Sequence, residues 1–190
     1  MSDAELRVET SGQVVSPPEP WVRIVPLGGV GEIGLNMTLL ETAEDILVID
    51  AGLMFPEEDM PGVDIVIPDF SYIRDNKDKV KGLFLTHGHE DHIGAIPYLL
   101  RALDDVPVYG GPLTMAFVSA RLKEQGISLG ESGHTIAAGD VIQAGGFKVE
   151  FITVCHSIAD SYGLAISTKA GLVLHTGDFK IDQTPIDGKR

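Results

Sequence analysis

Residues 82–92 read GLFLTHGHEDH, an apolar run followed directly by three histidines and two acids. The apolar half predicts a buried strand, and the spacing of apolar residues predicts a helix from residue 95. In an extended segment, positions 87, 89 and 91 project to one side, and the turn into the helix brings His92 round to join them. Imidazole and carboxylate groups suit Zn²⁺ and related divalent ions, and this density of them can hold two adjacent metals. The stretch therefore predicts a metal site at the end of a strand.

Two further candidate ligands follow strands predicted later in the chain. His156 comes after the strand predicted at 147–154, and Asp178 comes after the strand predicted at 172–176. Ligands from separate strand ends are what a sheet needs to build a site along one edge. The alternative is a polar turn with solvated histidines, which suits an isolated histidine better than the spacing H-x-H-x-D-H.

The rest of the chain alternates short apolar segments with glycine and polar turns, which is typical of a mixed sheet with helical crossovers. The predicted strands cover residues 21–27, 37–41, 46–50, 63–67, 82–86, 106–109, 140–144, 147–154, 162–168 and 172–176. The predicted helices cover residues 69–81, 95–103 and 112–125. This pattern favours an α/β fold, with α+β as the alternative. Residues 1–20 are polar and rich in proline near their end, which predicts a flexible tail.

Charge and cysteine content limit the classes of function. The 190-residue chain carries 14 basic against 28 acidic side chains, and this net charge of −14 argues against a broad basic face for nucleic acid or anionic membrane. Its single cysteine, Cys155, excludes an internal disulfide framework and a cysteine-rich zinc module. The sequence has neither a long apolar span nor the apolar core of a secretory signal. We therefore expect a cytoplasmic protein with no membrane partner.

Several other signals favour structural roles. Residues 29–34, GVGEIG, match the pattern G-x-G-x-x-G, but strands are predicted where a dinucleotide-binding fold needs a helix. A glycine loop that lets the backbone approach the metal pocket closely is the better interpretation. Cys155 and His175 are expected in the core rather than among the ligands, and His134 is expected in a surface loop.

The pattern H-x-H-x-D-H with a later histidine and aspartate resembles the metallo-β-lactamase superfamily. Four longer segments are similar to the bacterial ribonuclease J family, in the β-CASP branch of that superfamily: 27–37 (LGGVGEIGLNM), 86–99 (THGHEDHIGAIPYL), 156–161 (HSIADS) and 175–185 (HTGDFKIDQTP). The resemblance implies an αββα sandwich and a two-zinc ribonuclease in which a zinc-held hydroxide attacks RNA phosphodiesters. It also implies endonuclease action together with degradation from a 5′-monophosphate end.

The resemblance also assigns roles by position. Six side chains are implied as metal ligands: His87, His89 and His156 on one zinc, Asp91 and His92 on the other, and Asp178 as the bridge. Asp50 matches a carboxylate that braces the histidine loop from behind the ligands.

The family's chain continues through an inserted β-CASP domain, a return segment and a C-terminal domain. The resemblance therefore implies that residues 21–190 are the N-terminal part of a metallo-β-lactamase domain. It implies further that the last zinc-ligating histidine and the acid–base residues come from downstream of Arg190, which leaves the second metal site incomplete in this chain. Oligomerisation of the full-length protein stays open.

Two other classes of function also stay open. A small-molecule hydrolase of the same superfamily, acting on a thioester, lactone or lactam, needs no basic groove and suits the charge of −14. A fragment that binds one zinc or none, with no catalytic role, is the other. Metal analysis and RNA cleavage assays distinguish the three classes.

Overall fold

The computed structural model describes residues 17–103 and 105–184. The described strands are β1 (Arg23–Gly28), β2 (Met37–Glu41), β3 (Ile46–Ile49), β4 (Val80–Phe84), β5 (Val108–Gly110), β6 (Gly133–Thr135), β7 (Val141–Ala144), β8 (Phe147–Thr153), β9 (Tyr162–Thr168) and β10 (Gly171–His175). The described α-helices are α1 (Ser71–Asp75), α2 (Glu90–Ile93), α3 (Ile96–Ala102) and α4 (Pro112–Glu124).

Two predictions fall partly or wholly on the ends of the chain. Of the tail predicted at 1–20, residues 1–16 lie outside the described part and residues 17–20 are exposed. Of the domain predicted at 21–190, the last residues, 185 to Arg190, also lie outside the described part. The expectation that the acid–base residues come from downstream of Arg190 therefore stays a prediction.

The strands form two sheets. The first has the order β1-β2-β3-β4-β5-β6, in which β1 to β3 are antiparallel neighbours and β3 to β6 pair in parallel. The second has the order β10-β9-β8-β7 and is antiparallel throughout. Parallel neighbours need crossover connections, and α1 to α4 lie in those connections between β3 and β6. The crossovers make the fold α/β.

The central strand β3, with the sequence ILVI, is buried on both faces. Ile46 and Val48 pack with helix residues such as Leu99 of α3. The alternate residues Leu47 and Ile49 belong to a second cluster, which lies between the two sheets. Because side chains alternate along a strand, one continuous apolar run serves both clusters. The described layers are thus helices, first sheet and second sheet, which are three layers of the expected αββα sandwich.

Strand directions bring several chain segments to one edge of the sandwich. β3 and β4 are parallel, so Asp50 and Thr86 follow their carboxyl ends on the same side. β8 and β10 both run antiparallel to β9, so their carboxyl ends also share an edge, followed by His156 and Asp178. The backbone N–H of Tyr162 at the start of β9 donates to the carbonyl of Thr86 at 2.9 Å, which joins the two edges.

The helix predicted at 69–81 was wrong in most of its length. α1 covers only Ser71–Asp75, a 3-10 turn follows at Lys77–Lys79, and β4 begins at Val80. From Val80 onward the chain pairs in parallel with β3, so sheet pairing outweighs the helical tendency at the last two residues of the predicted helix.

The strand predicted at 63–67 was also wrong, because it reduces to a single bridge between Met54 and Val66. Conversely, His134 lies in the short strand β6 rather than in the predicted loop. It is exposed, and its ring stacks on Tyr109 with centroids 4.8 Å apart. β6 has only three residues, one of them a glycine, so its sequence does not predict a strand. The strand forms through its pairing with β5.

The other predicted strands and helices are confirmed, with ends that shift by one or two residues. Pro97 lies in the first turn of α3, where its missing N–H costs no helical hydrogen bond. Across residues 17–103 and 105–184, no helix is both long and apolar enough to cross a membrane.

Candidate metal centre

The centre is built on the buried carboxylate of Asp50, which follows β3 with a left-handed backbone (φ 59°). Asp50 Oδ1 accepts the backbone N–H of Thr86 at 2.8 Å, and Oδ2 accepts the Thr86 hydroxyl at 2.8 Å. His92 Nδ1 lies 2.8 Å from Oδ2 and donates to it, because a carboxylate has no hydrogen to offer. These bonds connect the ends of β3 and β4 with α2.

The same bonds fix the hydrogen positions on two buried rings. The Thr86 hydroxyl gives its hydrogen to Asp50, so it accepts one from His87 Nδ1, 3.0 Å away. His92 also carries a hydrogen on Nδ1, so Nε2 of each ring holds the lone pair whenever that ring is neutral. A hydrogen-bonding partner behind the ring is what orients a metal-binding histidine.

Three histidines converge in front of this framework. His87 Nε2 lies 3.0 Å from His89 Nδ1, and His156 Nε2 lies 3.2 Å from that same nitrogen. His87 is buried, whereas His89 and His156 are half-buried and face the outside of the sandwich edge with part of their rings. The structure thus brings together the three residues that the resemblance assigns to one zinc.

A second group of possible ligands shares His87 and adds His92 and Asp178. Asp178 Oδ2 lies 3.5 Å from His92 Nε2 and 3.9 Å from His156 Nε2, so the carboxylate stands between the two groups. Asp91 Oδ2 lies 3.7 Å from His92 Nε2, beside this group rather than within it. The ligand roles of all six residues stay predictions.

The donor set fits a divalent metal. Each neutral imidazole carries one N–H, so the rings of His87, His89 and His156 cannot satisfy all their mutual contacts with their own hydrogens. Nitrogens bound tetrahedrally at about 2.0–2.1 Å from zinc lie about 3.3 Å from one another. The observed separations of 3.0 and 3.2 Å are close to that value.

Burial favours the neutral, metal-binding form of His87 and His156, whereas at His92 desolvation is outweighed by the facing Asp50 carboxylate, which raises the pKa. Desolvation, helped by the neighbouring His92 ring, lowers the pKa of His87 to about 3, so this ring is neutral at pH 7. Desolvation also lowers the pKa of His156. It would raise the pKa of Asp50, but the facing His92 ring and the hydrogen bond from Thr86 outweigh it, and the pKa lies below its ordinary value. Neutral imidazole and ionised carboxylate are the forms that metals bind.

The glycine-rich loop lies against the centre, as the sequence predicts. A cavity of about 190 Å³ is bounded by Gly28 and Gly29 on one side and by His92 and Asp178 on the other. β2 follows this loop, so the helix that a dinucleotide-binding fold requires is replaced by a strand.

Two residues of the centre are not identified by the sequence alone, Thr86 and Asn36. Thr86 links Asp50 to His87, and Asn36 Nδ2 lies 3.1 Å from both Asp91 Oδ2 and His92 Nε2. Their sole sequence signal is position, because Thr86 precedes the first histidine of the motif and Asn36 ends the glycine-rich stretch.

His175 and Cys155 lie outside both groups of possible ligands, as predicted. His175 Nδ1 accepts the backbone N–H of Gly177 at 3.2 Å, within the loop that carries Asp178. Both side chains are half-buried rather than buried in the core, so that part of the prediction was wrong.

Asp50→Asn is expected to destabilise the chain by about 2–3 kcal/mol, because the new amide hydrogens face donors on Thr86 and His92. Zn²⁺ affinity should also fall about tenfold, since the ring of His92 loses its acceptor. Urea unfolding and calorimetric Zn²⁺ titration measure the two effects. Asp69→Asn is the matched control, because the exposed Asp69 accepts the backbone N–H of Ser71 and an asparagine oxygen can do the same. Equal stability and equal Zn²⁺ affinity in both variants would contradict the bracing role of Asp50.

Comparison with known proteins agrees with this geometry. The sequence model of the metallo-beta-lactamase superfamily matches residues 30–183. The chain is 52% identical over 167 residues to Ribonuclease J of Helicobacter pylori, which covers 87% of this chain and 24% of that protein. It is 50% identical over 169 residues to Ribonuclease J of a Synechocystis species, covering 88% and 26%. With Ribonuclease J 2 of Staphylococcus aureus the identity is 47% over 163 residues, covering 86% and 29%. The chain thus spans about a quarter of the length of these relatives.

A solved structure supports the fold independently of close sequence similarity. A protein of unknown function from Enterococcus faecalis V583 superposes with a TM-score of 0.64 at 20% identity, over 84% of this chain and 44% of that one. The superfamily fold implies that a divalent metal is bound, and the histidine and aspartate groups could hold it. With its sequence model matched from residue 30 to residue 183, the chain belongs to the metallo-beta-lactamase superfamily.

Proposed function

We propose that this chain forms the metal-binding part of a two-zinc ribonuclease that cleaves RNA both internally and from its 5′ end. The observation that carries the proposal is the convergence of His87, His89, His156, His92 and Asp178 on two overlapping groups. Sequence identity near 50% to proteins named Ribonuclease J supports RNA as the substrate. Imidazole and carboxylate donors in this ratio support zinc as the metal, and an RNA substrate supports a cytoplasmic location.

Some residues of this chain would bind the metals, and others orient the residues that bind them. His87, His89 and His156 would hold one ion, and Asp91 and His92 would hold the other with Asp178 between them. Asp50 and Thr86 keep the Nε2 lone pairs of His87 and His92 directed at those positions. A pair of divalent ions there supplies Lewis acidity that stabilises the charge developing on a phosphodiester during hydrolysis.

The surface beside the centre has room for a substrate. A cavity of about 700 Å³ is lined by His156, by the loop that follows it and by Lys180. Such a volume lies within the range that holds a nucleotide-sized ligand. Lys180 Nζ forms an ion pair with Asp182 at 2.8 Å, so its charge is already partly balanced. The cavity supports a site in which substrate approaches the metals from the His156 side.

A second function is favoured by the charge of the chain. The net charge of −14 repels a polyanion but leaves a small thioester, lactone or lactam unaffected. Once occupied, two divalent ions reverse the sign of the field near the carboxylates, so local attraction of a phosphate is compatible with an acidic surface. We therefore rank RNA first and a small ester or lactam second.

The test replaces the matched segment of the Helicobacter pylori relative with this chain and loads the chimera with Zn²⁺. We expect it to degrade 5′-monophosphorylated RNA faster than 5′-triphosphorylated RNA, and both rates should fall at least about a hundredfold in its His89→Ala variant. Equal rates on the two RNAs contradict the 5′-end part of the proposal. A folded, zinc-loaded chimera that hydrolyses a thioester or lactone but leaves RNA intact establishes the second function instead.

A further inference from the structure

We propose that Asn36 is a positioning residue for the half of the metal centre formed by Asp91, His92 and Asp178. The proposal rests on the two-metal function above, and it gives a role to an uncharged side chain at the end of the glycine-rich loop. Asn36 is half-buried between that loop and α2.

Both amide hydrogens of Asn36 point at predicted ligand atoms. Nδ2 lies 3.1 Å from Asp91 Oδ2, which accepts one hydrogen, and 3.1 Å from His92 Nε2. His92 donates through Nδ1 to Asp50, so in the neutral ring Nε2 carries the lone pair that can accept the second hydrogen. The amide therefore links a carboxylate and an imidazole that are 3.7 Å apart and have no direct hydrogen bond.

The backbone of Asn36 is fixed on both sides. Its N–H donates to the carbonyl of Asp91 at 3.1 Å, and its own carbonyl accepts the N–H of Gly52 at 3.0 Å. The side chain is confined as well, because a Cβ at Gly29 would lie only 2.5 Å from Asn36 Oδ1. Gly29, with φ at 80°, thus leaves the space that the amide oxygen occupies. A clamped backbone and a confined oxygen fix the direction of Nδ2.

This arrangement sets Asp91 and His92 in place before any metal arrives. The amide orients the carboxylate of Asp91 relative to the ring of His92 and favours the ring tautomer that keeps its lone pair on Nε2. A residue that orients ligands in this way typically contributes about 10–100-fold to metal affinity. The contribution should be confined to one half of the centre, because Asn36 has no hydrogen bond to His87, His89 or His156 among the described contacts.

The experiment is a calorimetric Zn²⁺ titration of the 190-residue chain and two variants. In Asn36→Ala we expect the tighter binding step to keep its affinity within about threefold and the weaker step to lose about tenfold or more. Asn76→Ala is the matched control, since Asn76 Nδ2 donates to the carbonyl of Tyr72 at 2.9 Å, away from the centre. If the weaker Zn²⁺ binding step keeps its affinity in Asn36→Ala, the proposal is overturned. A gain in the affinity of that step also overturns it, because it would show that the amide competes with the metal.

A measurement on the metal-free chain separates this inference from the proposed function. The ¹⁵N resonances of the His92 ring should shift in Asn36→Ala and stay in place in Asn76→Ala, because Asn36 lies 3.1 Å from Nε2 whereas Asn76 bonds to Tyr72. Unchanged His92 resonances in Asn36→Ala overturn the inference whatever the zinc content. Uptake of fewer than two zinc ions by the chimera, which supplies the downstream segment, counts against the two-metal function, and the ring resonances of the 190-residue chain then decide the role of Asn36.

Discussion

His89→Ala is expected to abolish the tighter Zn²⁺ binding step and the thermal stabilisation that accompanies it. His89 Nδ1 is the common neighbour of His87 Nε2 and His156 Nε2, so its removal leaves two donors where three converge. Removing a direct ligand costs more than the 10–100-fold in affinity typical of an orienting residue. Binding to the folded state alone stabilises by about 2.7 kcal/mol at a free ligand concentration of a hundred times Kd. That free energy corresponds to about 5–10 °C in the melting temperature of a chain this size.

Thermal unfolding with and without Zn²⁺ measures this loss, and calorimetry counts the binding steps. The metal-free variant should melt close to the parent, because His89 is half-buried and its ring contacts are made by the other histidines of the centre. His134→Ala is the matched control, since that exposed histidine lies in β6 and stacks only on Tyr109. If His89→Ala retains both the tighter Zn²⁺ binding step and the full shift in melting temperature, the metal binds at a site other than the three histidines.

The sequence predicts the ligand positions because the metal chemistry depends on local spacing. H-x-H-x-D-H keeps its donors within six residues, across the junction of β4 and α2, and His156 and Asp178 are marked by their place just after apolar strands. Which strand ends meet is not local. It follows from the parallel pairing of β3 with β4 and from the two antiparallel pairings of β9, and these depend on contacts between distant segments.

The orienting residues are harder to predict for the same reason. Thr86 and Asn36 have side chains that suit a turn or a strand end anywhere, and their roles appear only when β3, β4 and the glycine-rich loop are assembled. The end of the helix predicted at 69–81 fails in a related way, because Val80 pairs with Ile46 of β3 instead of continuing a helix. Local pattern thus identifies the donors, and tertiary pairing determines what holds them.

Gly52→Ala is expected to destabilise the chain by about 3 kcal/mol and to weaken Zn²⁺ binding. A Cβ at this position would lie 1.6 Å from the backbone oxygen of Asp91 and 2.9 Å from the nitrogen of Asn36, so backbone must move. The neighbouring N–H groups of Ala51 and Leu53 donate to carbonyls of His92 and Glu90 at 2.8 and 3.1 Å. The segment and α2 are therefore held together at the point where the methyl group would enter, and their separation would displace two predicted ligands.

Urea unfolding and Zn²⁺ titration of Gly52→Ala measure both consequences. Gly146→Ala serves as the control, because the nearest atom to a Cβ there is a carboxylate oxygen of Asp45 at 3.3 Å, at the end of a side chain that can move. We expect the control to stay within about 1 kcal/mol of the parent and to bind Zn²⁺ normally. If Gly52→Ala matched the control in both measurements, the close approach of this segment to α2 would not be what fixes Asp91 and His92.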